Sequence, residues 1–414
     1  MRILTVPKNL DVGGSQLNSV NVAVALAGRG HQVLVASSRG PATESLHVDG
    51  VEIAEIPSPE DRVARLRALT KLKRSHGPDV IHAYEVRAIM EACLVSLRKP
   101  SVPILGTIMS TRVPWYLPES LPLTVGMPNL ASFTRRWRTG STTLIESPVR
   151  EPGPGKRDVE TPRRSGHCIV LVSRLVEPFK REGILRAIAA MDTLGGKGLV
   201  LEIVGDGPAR PLFEGAAESV NQKTPAPVIE FLGEQLDPYA SIASANVVVG
   251  NGLSVIEGSM MGKPAVVVGR EGYSAVVDSL SLPELIDRGF YGVGNGLNSK
   301  DPLPDQIMAA MSATREAELT ALASQMRDRY GLEAIVERFE EELDQARYRQ
   351  PPRAHEMARS LARSVHYRAR RRLLGRKAHR LGLTAENNDD FVFGRLRNMA
   401  LPGGSRGTGR NLRS

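Results

Sequence analysis

The feature that most constrains this chain is an alternation that occurs twice. Short β-branched runs at Ile3–Val6, Gln32–Ala36, Val51–Ile56, Asp79–His82, Pro103–Ile108 and Thr142–Ile145 are separated by longer stretches with helical periodicity. In the first of these, Ser15–Gly28, the apolar residues Leu17, Val20, Val24 and Ala27 recur at helical spacing, and Gly28 and Gly30 end the segment. Glu60–Lys73 is a second helix, with Ser58 and Pro59 suited to an N-cap and a first helical position. The stretch Glu146–Gly166 then breaks the pattern, carrying four prolines and no periodicity. The alternation resumes at His167–Val172, Gly198–Val204, Val228–Leu232, Asn246–Val249 and Pro264–Val268. Helices are expected at Gly183–Met191, Ser254–Met261 and over Leu303–Gln345. Strands that alternate with helices pack as βαβ units on a mostly parallel sheet.

The expectation is therefore an α/β chain with two Rossmann-like domains facing each other across a cleft. Residues 1–150 form the first domain, 151–165 a linker and 166–348 the second domain, with a tail over 349–414. The 414 residues suit two or three domains at roughly 100–200 residues each. Only Cys93 and Cys168 are present, which excludes a disulfide framework and a cysteine-rich metal site and fits free thiols in a reducing cytoplasm. No apolar run approaches the ~18 residues needed to span a bilayer, and the strand-like start Met1–Pro7 does not read as a signal peptide. The expected location is cytoplasmic.

The formal net charge of +9 belongs to one segment. From Pro351 to Ser414 there are 15 Lys+Arg against 4 Asp+Glu, a net of +11, so the first 350 residues carry a net of −2. Within that tail, Arg363, Tyr367, Arg370, Leu374, Lys377 and Leu381 fall at helical spacing. A basic amphipathic helix over 351–383 can lie on an anionic membrane surface, which would place the protein peripherally at the inner face of the membrane. The plainer alternative is a solvated tail, disordered beyond Leu401. No nucleic acid is expected as a partner, because aromatic residues make up 4% of the chain and no recognition motif is present.

Four loops carry phosphate-binding signals. Gly13 and Gly14 stand after the first strand and before a helix, where backbone N–H groups can approach an anion; the alternative is a plain tight turn. In the second half, Ser173-Arg174-Leu175 follows the first strand and Lys180 and Arg181 come soon after. Cations at the carboxyl end of a strand sit where open α/β sheets bind ligands, and Arg174 with Lys180 could clamp a diphosphate, the alternative being solvated surface charge. Gly205-Asp206-Gly207 also follows a strand, and its backbone is expected to face the cleft, the alternative being a purely structural turn. The most specific stretch is Gly250-Asn251-Gly252-Leu253-Ser254-Val255-Ile256-Glu257, a glycine-rich loop that opens a helix carrying Glu257 near its start. A carboxylate there can accept from a ribose diol, or simply pair with the helix dipole.

Taken in order, these motifs resemble those of retaining glycosyltransferases of the GT-B architecture, family four of the sugar transferases. The resemblance runs from about Met1 to Gln345. It rests on Gly13-Gly14-Ser15-Gln16, Asp79-Val80-Ile81-His82-Ala83-Tyr84, Ser173-Arg174-Leu175-Val176-Glu177, Val204-Gly205-Asp206-Gly207-Pro208, Phe231-Leu232-Gly233 and Ile256-Glu257-Gly258-Ser259-Met260-Met261-Gly262-Lys263-Pro264. It implies transfer of a sugar from a nucleotide-diphosphate donor to an acceptor with retention of configuration. The donor is a co-substrate, and no cofactor or metal is implied. The acceptor is expected to be a cell-envelope glycan or a lipid-linked molecule. Arg174, Lys180 and Tyr84 would then be the catalytic residues, with Arg181 able to stand in for Lys180, and Gly13, Gly14, Gly205, Leu232, Ser254 and Glu257 would bind the donor. The chain departs from the family pattern at Val249, where a glutamate is usual, and at Tyr84, where a histidine is usual. A nucleotide-sugar epimerase of the same architecture would need acid and base residues that the motifs do not supply. A non-catalytic member that binds a nucleotide sugar is the reading that Val249 and Tyr84 keep open.

Overall fold

The computed structural model describes residues 1–11, 13–46, 50–149, 167–177, 179–292, 301–312 and 315–380. Met1–Met357 form one compact unit and the chain from Ala358 onward a second.

The first half of the chain builds a seven-stranded sheet from β1 (Arg2–Val6), β2 (Gln32–Ser37), β3 (Val51–Glu55), β4 (Val80–Tyr84), β5 (Ile104–Ile108), β6 (Leu123–Val125) and β7 (Thr142–Leu144). Its order is β3-β2-β1-β4-β5-β6-β7, parallel throughout. The crossovers include α1 (Gly14–Gly28), α2 (Arg62–His76), α3 (Glu85–Ser96) and α4 (Pro128–Arg135). The second half builds β8 (His167–Val172), β9 (Leu199–Val204), β10 (Ile229–Gly233), β11 (Val247–Gly250), β12 (Ala265–Val268) and β13 (Ser274–Val276), ordered β10-β9-β8-β11-β12-β13. Only β13 runs antiparallel, against β12. Around this sheet lie α5 (Arg181–Leu194), α6 (Arg210–Asn221), α7 (Tyr239–Ser244), α8 (Leu253–Met260), α9 (Leu282–Asp287), α10 (Leu303–Ala310) and α11 (Glu316–Tyr330), followed in sequence by α12 (Leu332–Ala346) and α13 (Ala354–Arg380).

Each sheet is covered on both faces, which is why its strands read as continuous apolar runs. In the first sheet, Leu4, Val6, Ile81 and Ala83 face Leu69, Ala88, Ile89 and Ala92 of α2 and α3. Ile3, Val33, Val35 and Val80 face Val20, Ala23 and Leu26 of α1 on the other side. In the second sheet, Leu171, Leu201 and Val249 pack against α5, α6 and α10, while Val170, Val248 and Val267 pack against α8 and α11.

Both sheets reverse their winding next to the first strand of each half, between β1 and β4 and between β8 and β11. Ligands of open α/β sheets bind outside the carboxyl ends of the strands at that reversal. The loops after β1, β4, β8 and β11 are the ones that carry Gly13 and Gly14, Glu85, Arg174 and Asn251.

Three expectations are corrected. The single helix expected over Leu303–Gln345 is three helices: α10 ends at Ala310, α11 starts at Glu316, and Gly331 takes extended torsions (φ −59°, ψ 138°) between α11 and α12. The second domain does not run to 348: α12 crosses back to the first sheet, where Ile335, Val336, Phe339 and Leu343 are each 0% exposed among β1, β2 and α1 residues. Burying four such side chains contributes on the order of 6–12 kcal/mol before chain entropy is subtracted, enough to hold the helix on that sheet. The short strands β6, between β5 and β7, and β13, at the edge of the second sheet, three residues each, were not expected, since three residues carry no readable period. The expected linker at 151–165 and the tail beyond residue 380, including Leu381, lie outside the described residues. No described helix is long and apolar enough to cross a membrane.

Candidate functional site

The loop after β1 is held from beneath. Arg65 on α2, 0% exposed, donates to the carbonyls of Pro7 (3.1 Å) and Pro57 (3.1 Å) and pairs with the buried Glu91 carboxylate at 2.8 Å. Gln16 Nε2 donates to Asn9 Oδ1 (2.9 Å), closing the loop against the start of α1. Gly13 precedes α1 without any side-chain cap, so the first N–H groups of a 15-residue helix remain available to an anion.

Glu85 is a residue that sequence reasoning missed. It starts α3 with φ +66°, a left-handed conformation that costs a side-chain-bearing residue on the order of 1 kcal/mol or more. Its Oε1 accepts from Ser15 Oγ (3.0 Å), Met109 N (3.1 Å) and Ser110 N (3.2 Å), and its Oε2 accepts from Ser110 Oγ (2.9 Å). One carboxylate thus ties the start of α1, the end of β4 and the loop after β5 together at the reversal point. Its position next to Tyr84 was the available signal; the left-handed torsion was not legible.

Across the cleft, Arg174 is exposed after β8 and reaches the first half. A Cβ placed on Gly13 would lie 3.5 Å from the Cζ and Nη1 of Arg174. Lys180, just before α5, donates from Nζ to Asn251 Oδ1, and Asn251 Nδ2 donates to the carbonyl of Val268 (3.1 Å). The second bond fixes the amide so that its oxygen faces the lysine. Burial, with Arg174 adding to it, lowers the Lys180 ammonium to about 8. The Lys180 ammonium is therefore disfavoured by its burial and by the nearby Arg174 charge, the condition an anion relieves. Tyr291, also missed, reaches from the second half to Met109 O at 3.5 Å and lies against Gly252, where an added Cβ would meet its ring at 3.4 Å. Burial first, then Glu85, pushes its hydroxyl up.

Glu257 sits in the second turn of α8, partly buried, and no hydrogen bond to its carboxyl is found among the described residues. Burial, with Asp237 second, raises it to about 8. Ser254, 7% exposed, has a hydroxyl with no hydrogen-bond partner. Both are polar groups held at the start of a helix with hydrogen-bonding capacity to spare. Leu232 is 36% exposed near the end of β10.

One expected site residue, Tyr84, takes another place, and Gly205 has a structural role of its own. Tyr84 is 1% exposed, because strand alternation turns it and His82 to the face covered by α12: the two rings are 4.4 Å apart and His82 is 5.4 Å from Phe339. A side chain so covered does not present its hydroxyl to a sugar in this arrangement, which corrects the catalytic expectation for Tyr84. His82 donates or accepts at 2.8 Å with Thr107 Oγ1, and burial lowers it to about 3, so it is a neutral core residue. Gly205 (φ +139°) is required by the chain itself, since a Cβ there would meet Ser173 O at 1.9 Å. Its tight turn braces the backbone that carries Arg174, with Leu175 N donating to Asp206 O (2.9 Å). Val249, where a glutamate was looked for, is 0% exposed in the core.

Gly13, Arg174, Lys180, Asn251, Glu85 and Tyr291 thus gather at the facing reversal points of two Rossmann-like sheets. Residues 12–126 match the family model described as Glycosyltransferase Family 4. No curated protein matches the sequence at a significant level. Among solved structures the chain is similar to a glycosyltransferase from Rickettsia africae, at TM-score 0.63 and 16% identity over 84% of this chain and 99% of that one. It is similar to Anabaena HepE solved with UDP-glucose, at TM-score 0.61 and 17% identity over 83% and 100%. It is similar to sucrose-phosphate synthase from Thermosynechococcus elongatus, at TM-score 0.60 and 16% identity over 83% and 99%. The chain has the GT-B fold, with the family-four match confined to its N-terminal sheet.

Proposed function

We propose that this protein is a retaining glycosyltransferase that moves a sugar from a nucleotide-diphosphate sugar to a cell-envelope glycan or a lipid-linked acceptor, working in the cytoplasm at the inner face of the membrane. The observation that carries the reading is Arg174 facing Gly13 across the cleft, with Lys180 close enough to feel its charge. Negative charge grows on the departing diphosphate as the glycosidic bond breaks. A guanidinium and an ammonium already in place stabilise that charge without reorganising. Gly14, with open space where a Cβ would be, leaves room for the diphosphate and sugar beside the start of α1. Glu257, unpartnered near the start of α8, is suited to the ribose hydroxyls, and Ser254 and the backbone at Leu232 to the rest of the nucleotide. No cofactor is needed beyond the donor. Holding donor and acceptor between two sheets aligns the acceptor hydroxyl with the anomeric carbon and keeps water out. HepE was solved with UDP-glucose, which makes uridine nucleotides the first donors to try.

A second reading, nucleotide-sugar binding without transfer, is favoured by two observations: Val249 and Tyr84 both stand in the core at positions where the family presents polar groups to the sugar. One pair of measurements separates the readings. A thermal-shift screen with UDP, GDP and ADP should find one nucleotide that stabilises by about 2.7 kcal/mol at ~100 times its dissociation constant. The matching NDP-sugar should then turn over, slowly to water if no acceptor is supplied, and Arg174→Ala should abolish that turnover. Stabilisation without turnover selects the binding reading; no response to any nucleotide defeats both.

A further inference from the structure

Helix α13 carries a surface that the transferase reading does not use. Between Glu356 and Glu386 the sequence has no acidic residue, and residues 358–380 contain eight arginines and one lysine. At 3.6 residues per turn, Ala358, Leu361, Ala362, Val365, Ala369 and Leu373 fall in one sector about 120° wide. All six are exposed, Leu361 at 39%, Val365 at 65% and Leu373 at 65%. Arg368, exposed, lines the edge of the sector marked by Leu361, Arg372, also exposed, falls just inside that edge, and Arg359, exposed too, lies beyond the edge marked by Leu373. Arg372 enters the sector only in its last turn, beside Leu373, so the stretch from Ala358 to Ala369 presents an apolar face that is exposed to water unless something covers it.

From this arrangement we infer that α13 is an interfacial helix that lays its Leu361–Val365–Leu373 face into an anionic lipid surface, with Arg359, Arg368 and Arg372 at the headgroup level. A lipid surface offers both things the face displays: an apolar layer for the leucines and valine, and phosphates for the arginines. A second copy of the helix would match the apolar stripe but set arginines against arginines. A nucleic acid would pair with the arginines and leave the apolar residues in water. The apolar stripe is narrow and half alanine, so charge must supply much of the affinity, and binding should be reversible and sensitive to salt. This inference rests on and deepens the membrane placement in the proposed function, and because it reads out without a donor its failure would leave the sugar-transfer reading untouched.

The test is flotation of the full-length protein with phosphatidylcholine vesicles that contain or lack phosphatidylglycerol. Binding is expected only to the anionic vesicles, and it should be lost at ~1 M salt, where the screening length falls to about 3 Å. Leu361→Glu/Val365→Glu should lower the bound fraction at least about tenfold, with an unchanged melting temperature because both positions are exposed. Arg359→Ser/Arg368→Ser/Arg372→Ser should weaken binding and flatten its salt dependence. Failure of the wild type to bind anionic vesicles overturns the inference, as does equal binding to both vesicle types. Unaltered binding by the double glutamate variant with loss in the triple serine variant would mark a plain polyanion-binding surface and overturns it too. So would a wild-type dimer that the glutamate variant converts to monomer while vesicle binding persists, since the face would then belong to a second copy.

Discussion

The Arg174 guanidinium of the second half stands over the backbone of Gly13 in the first half, 3.5 Å from where a Cβ would be. Gly13 precedes the positively polarised end of α1, so two positive groups meet at this point, and an anion is the ligand that joins them. The neighbouring glycines separate packing from function. Gly13 is extended (φ 173°), so alanine is allowed by its backbone, but its Cβ would fall 2.7 Å from Gln16 Oε1 and press on Arg174. Gly14, the first residue of α1, has nothing within 4 Å. Gly14→Ala should therefore leave stability unchanged or raise it by up to about 1 kcal/mol, as alanine does in a helix. If the donor diphosphate uses that space, the same variant should lose nucleotide affinity by about tenfold or more, or roughly 1.4 kcal/mol. Calorimetric melting and nucleotide titration on Gly13→Ala and Gly14→Ala give both numbers. A Gly14→Ala protein with wild-type affinity would move the phosphate site elsewhere.

The exposed Arg174 makes no contribution to the core, so its removal should act on binding and transfer alone. Arg174→Ala is expected to weaken nucleoside diphosphate binding by about ten- to a hundredfold, the worth of a charged hydrogen bond, with no change in melting temperature. Arg174→Lys should recover only part of this, because an ammonium keeps the charge and loses the two-pronged geometry. Isothermal titration of the three proteins with the nucleotide selected by thermal shift checks the order.

How much of this was legible in the sequence depends on what each residue's role requires. The two sheets were, because β-branched runs buried on both faces cannot be disguised, and the Gly13, Arg174 and Glu257 loops were, because they follow strands. Tyr84 was misread because its role depends on which face of β4 it takes and on α12, a helix 250 residues away that covers that face. The crossing of α12 itself was hidden, since its apolar stripe tells that it packs, without telling on which sheet. Glu85 and Tyr291 escaped because their partners come from separate loops and, for Tyr291, from the other half of the molecule. Sequence signals report local periodicity well and long-range pairing hardly at all.

Lys180 makes the cleft sensitive to alkaline pH. In the free protein its ammonium titrates near 8, and a bound diphosphate would hold it protonated to higher pH. Binding therefore takes up a proton above pH 8, and affinity is fully present below that value and lost above it, by up to about tenfold per pH unit. A titration series from pH 6.5 to 9.5 should show the fall for the wild type. In Lys180→Met the part of that fall owed to Lys180 should vanish, any remainder belonging to Glu257, whose carboxyl is also raised to about 8, and affinity at neutral pH should already be low. A wild-type affinity that is flat across the range would remove Lys180 from the phosphate site.

Beneath the loop, Arg65 and Glu91 form a buried pair whose loss acts through the fold. Arg65→Met leaves the Glu91 carboxylate uncompensated and should cost about 3–5 kcal/mol. Arg65→Met/Glu91→Leu removes the stranded charge and should recover part of that loss. The recovery should fall short of the wild type, because the carbonyls of Pro7 and Pro57 still lack the donors Arg65 gave them. Urea unfolding of the two variants gives the comparison, and equal stability of single and double variants would show that the carbonyls, and not the charge, dominate.

His82 sets an acid limit on the fold. Its ring is 0% exposed, hydrogen-bonded to Thr107 Oγ1, and held neutral down to about pH 3, whereas in the unfolded chain it protonates near 6.5. Between those values the unfolded state binds one proton more than the folded state, so unfolding free energy rises with pH and falls as the solution is acidified. The contribution is about 1.4 kcal/mol for each pH unit below 6.5, until the folded ring itself protonates. Carboxylates titrate over part of the same range, so the wild type alone does not isolate the effect. His82→Gln keeps a group that can reach Thr107 and carries no titrating proton. The stability of the wild type minus that of the variant should therefore be constant above pH 6.5 and decline steadily from 6.5 toward 4. A difference that stays constant across the whole range would mean that the ring accepts its proton in the folded protein, contrary to its place in the core between Tyr84 and Phe339.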